Sequence, residues 1–302
     1  MGSKKIKKVL VLGSGTMGTQ IGLLCAVAGF DVTIYDILED SLKQSKQKIQ
    51  KLAKSVVVQE LINQKDADAG LLRIIFTIDP EKAGKDADLI SESIPEDPVL
   101  KQKVFSQFNK ICPKHTIFTT NTSTLVPSII AEATGRPEKF LALHFHDYSI
   151  TNVVDVMPHP GTSVGTLETV MAFCKDIDQY PIELKKEKSG YVFNTMLSEL
   201  FQSALSLISR DVASHEDIDR VWMGIMKTFM GPFGLMDSVG IETVHTIADY
   251  WAKKTNDPKL KANAAYLKKF VDKGDIGIKT GKGFYEYPDP SFLKPDFLKG
   301  IR

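Results

Sequence analysis

Short apolar runs alternate with longer amphipathic ones along the first part of the chain, and helical periodicity takes over in the last part. Val9-Leu10-Val11-Leu12 is a continuous apolar run of strand length. It stops at Gly13, and an amphipathic stretch follows from about Thr19 to Ala28. Gly29 breaks that helix, and Asp31–Tyr35 reads as a second strand ending at Asp36. Leu38 to about Gln64 reads as a long helix. Strands are predicted at Arg73–Thr77, before a turn at Asp79-Pro80, and at Asp88–Ser93. A helix should run from the Pro95 and Pro98 turn to about Cys112. The strand Thr116–Thr120 then ends at Asn121-Thr122-Ser123-Thr124. This order makes an open parallel sheet. Phe140–Phe145, Asn152–Met157 and Tyr180–Leu184 are further strands, with a helix from about Thr166 to Ile177 between the last two. From Tyr191 onward the pattern is helical: Val192–Ile208, His215–Met226, Ile241–Lys254 and Ala262–Lys273. A turn at Gly231-Pro232-Phe233-Gly234 interrupts these runs, and Gly281-Lys282-Gly283-Phe284-Tyr285 is a glycine-rich turn near the end.

The first turn carries chemistry. Gly13-Ser14-Gly15-Thr16-Met17-Gly18 follows a strand and opens a helix, and an acid, Asp36, ends the next strand. This is the dinucleotide-binding arrangement. Gly13 allows a sharp turn, Gly15 lets a pyrophosphate approach the main chain, and Gly18 lets helix and strand pack closely. The helix N-terminus, from Thr16 and Met17, directs free N–H groups and a partial positive charge at the phosphates. Asp36 can accept hydrogen bonds from a ribose 2′-OH and would repel a 2′-phosphate, so NAD is expected over NADP. Ligands of such sheets bind beyond the carboxyl ends of the strands. Glu92–Pro98 and Asn121–Thr124 emerge there and should border the cofactor. The expected fold class is α/β, a Rossmann-type mostly parallel sheet followed by an all-helical C-terminal domain. Residues 1–187 would form the NAD-binding domain, and residues 188–302 a helical substrate-binding and dimerisation domain.

Composition narrows the class of partner. At 302 residues, 43% apolar and 25% charged, the chain has the make-up of a globular protein with a large core. Its 38 basic and 37 acidic residues nearly cancel, which gives no basis for a nucleic-acid or membrane-surface partner. Cys25, Cys112 and Cys174 are far apart, without a disulfide framework or zinc spacing. No apolar run approaches membrane-span length. Lys4, Lys5, Lys7 and Lys8 lead straight into a strand and do not form a signal peptide. A cytoplasmic protein is expected. The lysines of the long helix, Lys43, Lys46, Lys48, Lys51 and Lys54, make a solvated face or meet an anionic ligand tail. The apolar faces of the helical domain point to burial in a second copy, hence a homodimer.

Hydride transfer to a ketone needs a proton carrier and donors for the developing alkoxide. His144 ends the strand Leu141-Ala142-Leu143-His144-Phe145, and His146 follows on the same face if the strand continues. Only one of them would serve as the base, and the alternative for a strand-end histidine is a structural role. Asp155, flanked in strand alternation by Val153 and Met157, requires a partner at that position, and a His–Asp pair would fix the tautomer and stabilise the imidazolium. A metal held by His144, His146 and Asp147 lacks a third well-spaced ligand, and no metal is expected. Ser123 could bond the substrate oxygen or cap a helix starting near Leu125. Asn194 lies early in the first helix of the second domain, where spacing alone allows a cap or a surface residue.

These landmarks resemble the L-3-hydroxyacyl-CoA dehydrogenases over essentially the whole chain. The shared motifs are Gly13 to Gly18, Asp36, Glu92 to Glu96 with Lys101, and Asn121-Thr122-Ser123-Thr124-Leu125. They continue with Leu143-His144-Phe145, Ser189-Gly190-Tyr191-Val192-Phe193-Asn194, Gly231-Pro232-Phe233 and Gly281 to Tyr285. The resemblance implies that His144 is the acid/base, that Ser123 and Asn194 contact the reacting end of the substrate, and that Asp36, Glu96 and Lys101 contact NAD. It supports His144 over His146.

Three departures from the family pattern stand out. His146-Asp147-Tyr148 replaces Phe-Asn-Pro, the orienting Glu is Asp155, and Leu52 stands where the family places a Ser against coenzyme A. All lie on the substrate side. The tract Pro181 to Gly190 looks like that of the diketoreductase branch, whose members reduce β-keto esters without CoA. The expected activity is NAD-dependent interconversion of a 3-hydroxyacyl and a 3-oxoacyl substrate, as in fatty acid metabolism. The alternatives are a diketoreductase or hydroxy-acid dehydrogenase acting on CoA-free β-keto substrates, including the gulonate dehydrogenase relatives. A non-catalytic NAD-binding protein of the lambda-crystallin kind is a further alternative.

Overall fold

A computed structural model describes residues 5–148 and 150–300. Lys4 lies outside the described residues. The chain divides into two compact units, the first ending at Val192 and the second beginning at Phe193.

The first unit is a twisted sheet with helices on both faces. Its strands are β1 (Lys8–Leu12), β2 (Asp31–Tyr35), β3 (Ile74–Thr77), β4 (Leu89–Glu92), β5 (Ile117–Thr120), β6 (Phe140–Phe145), β7 (Val153–Pro158) and β8 (Tyr180–Glu183). They pair in the order β3-β2-β1-β4-β5-β6-β7-β8. All pairs are parallel except β6 and β7. The cause is loop length, because a parallel return needs a crossover of a dozen or more residues and the link from Phe145 to Val153 is shorter.

Alternation along the central strands sends apolar side chains to both faces, as a covered parallel sheet requires. Val9 and Val11 join one core, with Leu23 of α1 (Thr16–Val27), Ile49 of α2 (Glu39–Val58) and Phe173 of α6 (Val164–Asp176). Leu10 and Leu12 join the other, with Phe105 and Phe108 of α5 (Pro98–Ile111). The strand order reverses between β1 and β4, and there Ser93 N–H donates to Leu12 O at 2.7 Å. The crevice at this switch point lies at the carboxyl ends of both strands, where dinucleotides bind in such sheets.

Two local expectations are corrected. The helix expected to reach Gln64 stops at Val58, turns with Glu60 at φ 59°, and restarts as α3 (Gln64–Leu71). Asn63 initiates the restart by accepting from Asp66 N, an N-cap that the lysine-rich periodicity concealed. The turn at Asp79-Pro80 opens a short helix, α4 (Pro80–Gly84), whose second and third N–H groups are capped by Asp79. The five α2 lysines are all exposed, opposite buried Leu42, Ile49, Ala53 and Val56, so they form a solvated face.

The second unit is helical: α7 (Phe193–Ile208), α8 (His215–Met226), α9 (Pro232–Val239), α10 (Ile241–Thr255) and α11 (Pro258–Val271). The expected Gly231–Gly234 turn is instead the start of α9, because Pro232 is favourable in a first helical turn and Asp219 supplies the cap from α8. Asp219 accepts from Phe233 N at 2.9 Å, Gly234 N at 3.0 Å and Tyr285 Oη at 2.9 Å. Asp237 accepts from Phe284 N and Tyr285 N, both at 2.9 Å, and from Tyr287 Oη at 3.0 Å. These buried carboxylates tie the glycine-rich turn to the helices. A Cβ at Gly283 would stand 2.1 Å from Asp237 Oδ1, so that glycine is demanded by the packing.

Candidate active site

The glycine turn tests whether a dinucleotide fits. A Cβ on Gly18 would fall 2.0 Å from Gly13 O, and one on Gly13, at φ 98°, would fall 2.6 Å from Ser93 O. Both glycines are required by the protein itself. Gly15 is different: it has an ordinary φ of −68°, and a Cβ there would meet nothing within 4 Å. Its smallness serves something outside the chain. Gly15 and Thr16 are exposed, and α1 begins without a side-chain cap or an acid in its first turn. Its leading N–H groups are thus left for an anion. The residues present fit a pyrophosphate.

Asp36 closes the turn. Its Oδ2 accepts from Ser14 N at 2.9 Å and Ser14 Oγ at 2.7 Å, and its Oδ1 from Leu38 N at 3.1 Å. The Asp36 carboxylate therefore holds the loop in shape.

A second polar cluster lies at the ends of β4 and β5. Lys101 on α5 is buried, with Nζ 2.6 Å from Glu92 Oε1, 3.2 Å from Ile94 O and 3.3 Å from Glu96 Oε2. Thr120 Oγ1 donates to Glu92 Oε2 at 2.6 Å. Burial pushes the Glu92 carboxyl up, only partly opposed by Lys101 and Thr120. Glu96 accepts from Thr122 Oγ1, from Thr124 Oγ1 at 2.7 Å and from Thr124 N at 3.2 Å. Burial raises its carboxyl too, but these bonds and Lys101 outweigh it and the net direction is down. Lys101 is occupied by the protein's own carboxylates, so it sets the position of Glu96. Asn121 donates its N–H to Glu92 O at 2.8 Å and accepts from Phe145 N at 2.7 Å, stapling the end of β5 to that of β6. Beside Asn121, the cap of the 121–126 turn is Thr122, whose Oγ1 accepts from Leu125 N at 3.0 Å. Ser123 takes no part in that cap. The helix expected near Leu125 is a short 3₁₀ turn at Pro127–Ile129.

His144 and Asp155 are register partners across the antiparallel pair β6–β7. Both are buried, at 7% and 2% exposure, and His144 Nδ1 lies 3.1 Å from Asp155 Oδ2. His146 is drawn in as well, with Nε2 3.1 Å from the same oxygen. Burial tends to raise the Asp155 carboxyl, but the two imidazole hydrogen bonds prevail and bring it down to about 2. An ionised carboxylate only accepts, so both ring nitrogens donate to it, and His144 carries its proton on Nδ1. That leaves His144 Nε2 as the nitrogen able to take up a proton. Tyr191 covers the ring at 4.8 Å between centroids, and burial drives its phenol up. Ser189 Oγ donates to Thr124 O at 2.7 Å and anchors the segment before Tyr191.

The structure thus gathers the glycine turn and Asp36, the Glu92–Glu96–Lys101–Asn121 cluster, and the His144–Asp155 pair at the carboxyl side of the sheet's strands. Asn194 belongs to the second unit, in the first turn of α7. Asp147, named with the two histidines as a ligand set, is replaced by Asp155 as their common neighbour, since strand register and not chain proximity brings the acid in. Leu52 packs against the first core. The sharing of Asp155 by His146 was not foreseen; its signal was the His-x-His spacing on one strand face. The buried Arg136 was also missed. It donates to the carbonyls of Asn109, Cys112, Pro113 and Thr116 and closes the end of α5.

A glycine turn open to an anion, an acid at the end of the second strand and a switch-point crevice define the class: this is an NAD-binding oxidoreductase of Rossmann type. The NAD binding domain of 3-hydroxyacyl-CoA dehydrogenase matches residues 8–188, and the C-terminal domain of 3-hydroxyacyl-CoA dehydrogenase matches residues 190–287. The chain belongs to the 3-hydroxyacyl-CoA dehydrogenase family. It is 34% identical over 288 residues to the mitochondrial hydroxyacyl-coenzyme A dehydrogenase of Homo sapiens, covering 93% of this chain and 91% of that one. It is 30% identical over 286 residues to a probable 3-hydroxybutyryl-CoA dehydrogenase of Bacillus subtilis (strain 168), covering 94% and 99%. A solved diketoreductase, described for substrate-directed dual catalysis of dicarbonyl compounds, superposes with a TM-score of 0.86 at 39% identity, covering 94% of this chain and all of that one. Among the described residues no helix is long and apolar enough to cross a membrane.

Proposed function

We propose that the protein interconverts a 3-hydroxyacyl and a 3-oxoacyl substrate with NAD, using His144 as acid/base. The observation that carries this reading is the buried His144–Asp155 pair at 3.1 Å, with Nδ1 committed to the carboxylate. In the oxidising direction His144 Nε2 takes the substrate hydroxyl proton, and in the reducing direction it returns it. Asp155 fixes the tautomer and stabilises the imidazolium formed at that moment. NAD, when bound, supplies the hydride acceptor. Gly13 to Gly18 and the N-terminus of α1 hold its pyrophosphate, with Gly15, Thr16 and Met17 at the contact. Asp36 accepts from the adenosine ribose. Glu96, positioned by Lys101, and Asn121 border the nicotinamide side. The Ser123 hydroxyl and the Asn194 carboxamide are assigned to the substrate oxygen.

The second reading, a CoA-free β-keto substrate, is favoured by two observations. Leu52 is an apolar packing residue, without the hydroxyl a coenzyme A contact at that position would use. The diketoreductase relative stands at 39% identity. We further assign the protein to the cytoplasm and to fatty acid metabolism as a homodimer. Three buried free cysteines support a reducing compartment. Val221, Ile225, Met226 and Phe229, exposed along and just after α8, support a partner surface.

Following NADH absorbance with acetoacetyl-CoA and with a free β-keto ester tests the activity and separates the two substrates. His144→Gln should keep NADH binding and lower turnover by roughly two to four orders of magnitude. Near-normal turnover would reject His144 and point to His146.

A further inference from the structure

Resting on the assignment of His144 as acid/base, the geometry points to His146 as a second positioning residue, which locks the rotation of Asp155 so that Oδ2 stays on His144 Nδ1. The alternation of β6 sends Phe145 into the core and turns His144 and His146 to one side, where their rings meet edge-on at 4.6 Å. Asp155 Oδ2 then receives two N–H donors, each at 3.1 Å, from two different rings. A single hydrogen bond leaves a carboxylate free to swing about Cβ–Cγ and exchange its oxygens, since this terminal torsion is broad. A second donor on the same oxygen removes that freedom, because any swing breaks both bonds. The orientation of the His144 ring is thereby set through Asp155.

The same three donor atoms lie within 4.8 Å of one another, a spacing at which ion ligands are also found. Each ring nitrogen also stands at hydrogen-bond distance, 3.1 Å, from the same carboxylate oxygen, and that pairing is what fixes Asp155.

The titratable groups facing the carboxylate are His144 on β6, His146 beyond it, and Tyr191 after β8. With His146 gone, Asp155 is no longer held on His144 Nδ1 and stabilises the imidazolium less well. The limb of the pH–rate profile governed by the acid/base then moves to lower pH.

The test compares His146→Phe with His146→Gln, whose amide can still donate to Asp155. His146→Phe should lower kcat roughly tenfold, the worth of one hydrogen bond in the transition state, with the KM for NADH unchanged and the pH limb lowered. His146→Gln should restore most of kcat and return the limb to its wild-type position. A structural defect would lower activity without moving the limb. Wild-type kcat and an unmoved limb in His146→Phe, or a Gln variant as impaired as the Phe variant, would overturn the assignment. Nitrogen-15 spectra of the wild type and both variants give a readout independent of turnover. The His144 Nδ1–H tautomer should dominate in the wild type and the Gln variant and weaken in the Phe variant, and equal tautomer signals in all three would also overturn it. If the wild type turns over no β-keto substrate, it is the acid/base reading that fails, and the spectra still decide the role of His146.

Discussion

Gly15→Ala separates what the fold requires from what the cofactor requires. In the protein alone the substitution is nearly neutral. The backbone φ of −68° suits alanine, and the added Cβ touches nothing within 4 Å. Alanine is a poorer N-cap than glycine by about 0.5–1 kcal/mol. It also reduces the freedom of the unfolded chain, which adds about 0.4–1 kcal/mol to stability. The two nearly cancel, so Tm should stay within about 3 °C of wild type. The dinucleotide should be affected differently, because on the proposed assignment the methyl would stand where the pyrophosphate meets the main chain. Losing one charge-assisted N–H bond costs about 1.5–3 kcal/mol, which is roughly 10- to 150-fold in Kd for NADH. Gly18→Ala is the internal control: its Cβ would fall 2.0 Å from Gly13 O, so backbone must move and Tm should drop. Thermal melts and NADH fluorescence titrations of both variants measure the contrast. Wild-type NADH affinity in Gly15→Ala, or a loss of Tm equal to that of Gly18→Ala, would refute the assignment of this turn to the cofactor.

Two further outcomes can be checked. Asp36→Ala removes the acceptor for a ribose hydroxyl and also frees Ser14, so NADH should bind roughly 10- to 100-fold more weakly and the preference over NADPH should narrow; an unchanged preference would exclude Asp36 as the selector. In the second unit, burial pushes the Asp219 carboxyl up to about 6, against the hydrogen bonds from Phe233, Gly234 and Tyr285. A carboxyl that holds its proton more tightly in the folded chain adds stability that is fully present below its unfolded value of about 4 and lost as pH rises through about 6. The stability of wild type relative to Asp219→Asn, from urea unfolding, should therefore fall between about pH 4 and pH 7.5, and a constant difference would contradict the direction of the shift.

Features written in neighbouring residues were legible from the chain. The runs Val9–Leu12 and Leu141–Phe145 and the Gly13–Gly18 turn each declare a strand or a tight strand-to-helix turn within a few positions, because side-chain alternation and backbone conformation are local. Restart signals were harder to see. Asn63 and Pro232 begin α3 and α9 inside stretches whose periodicity suggested one continuous helix or a turn. A cap acts through one or two hydrogen bonds and barely alters the hydrophobic pattern that surrounds it.

What sequence order could not reveal was which distant polar groups share a bond. Asp155 reaches two histidines because the short link after β6 forces an antiparallel return and puts position 155 opposite position 144. Lys101 spends its charge on Glu92 and Glu96 because α5 lies over the end of β4. Asp219 and Asp237 each collect donors from segments far along the chain. A lone acid in an apolar stretch states that a partner must exist, since burying it unpaired is too costly. The partner's identity follows from strand register and helix packing, which arise once the whole chain has folded.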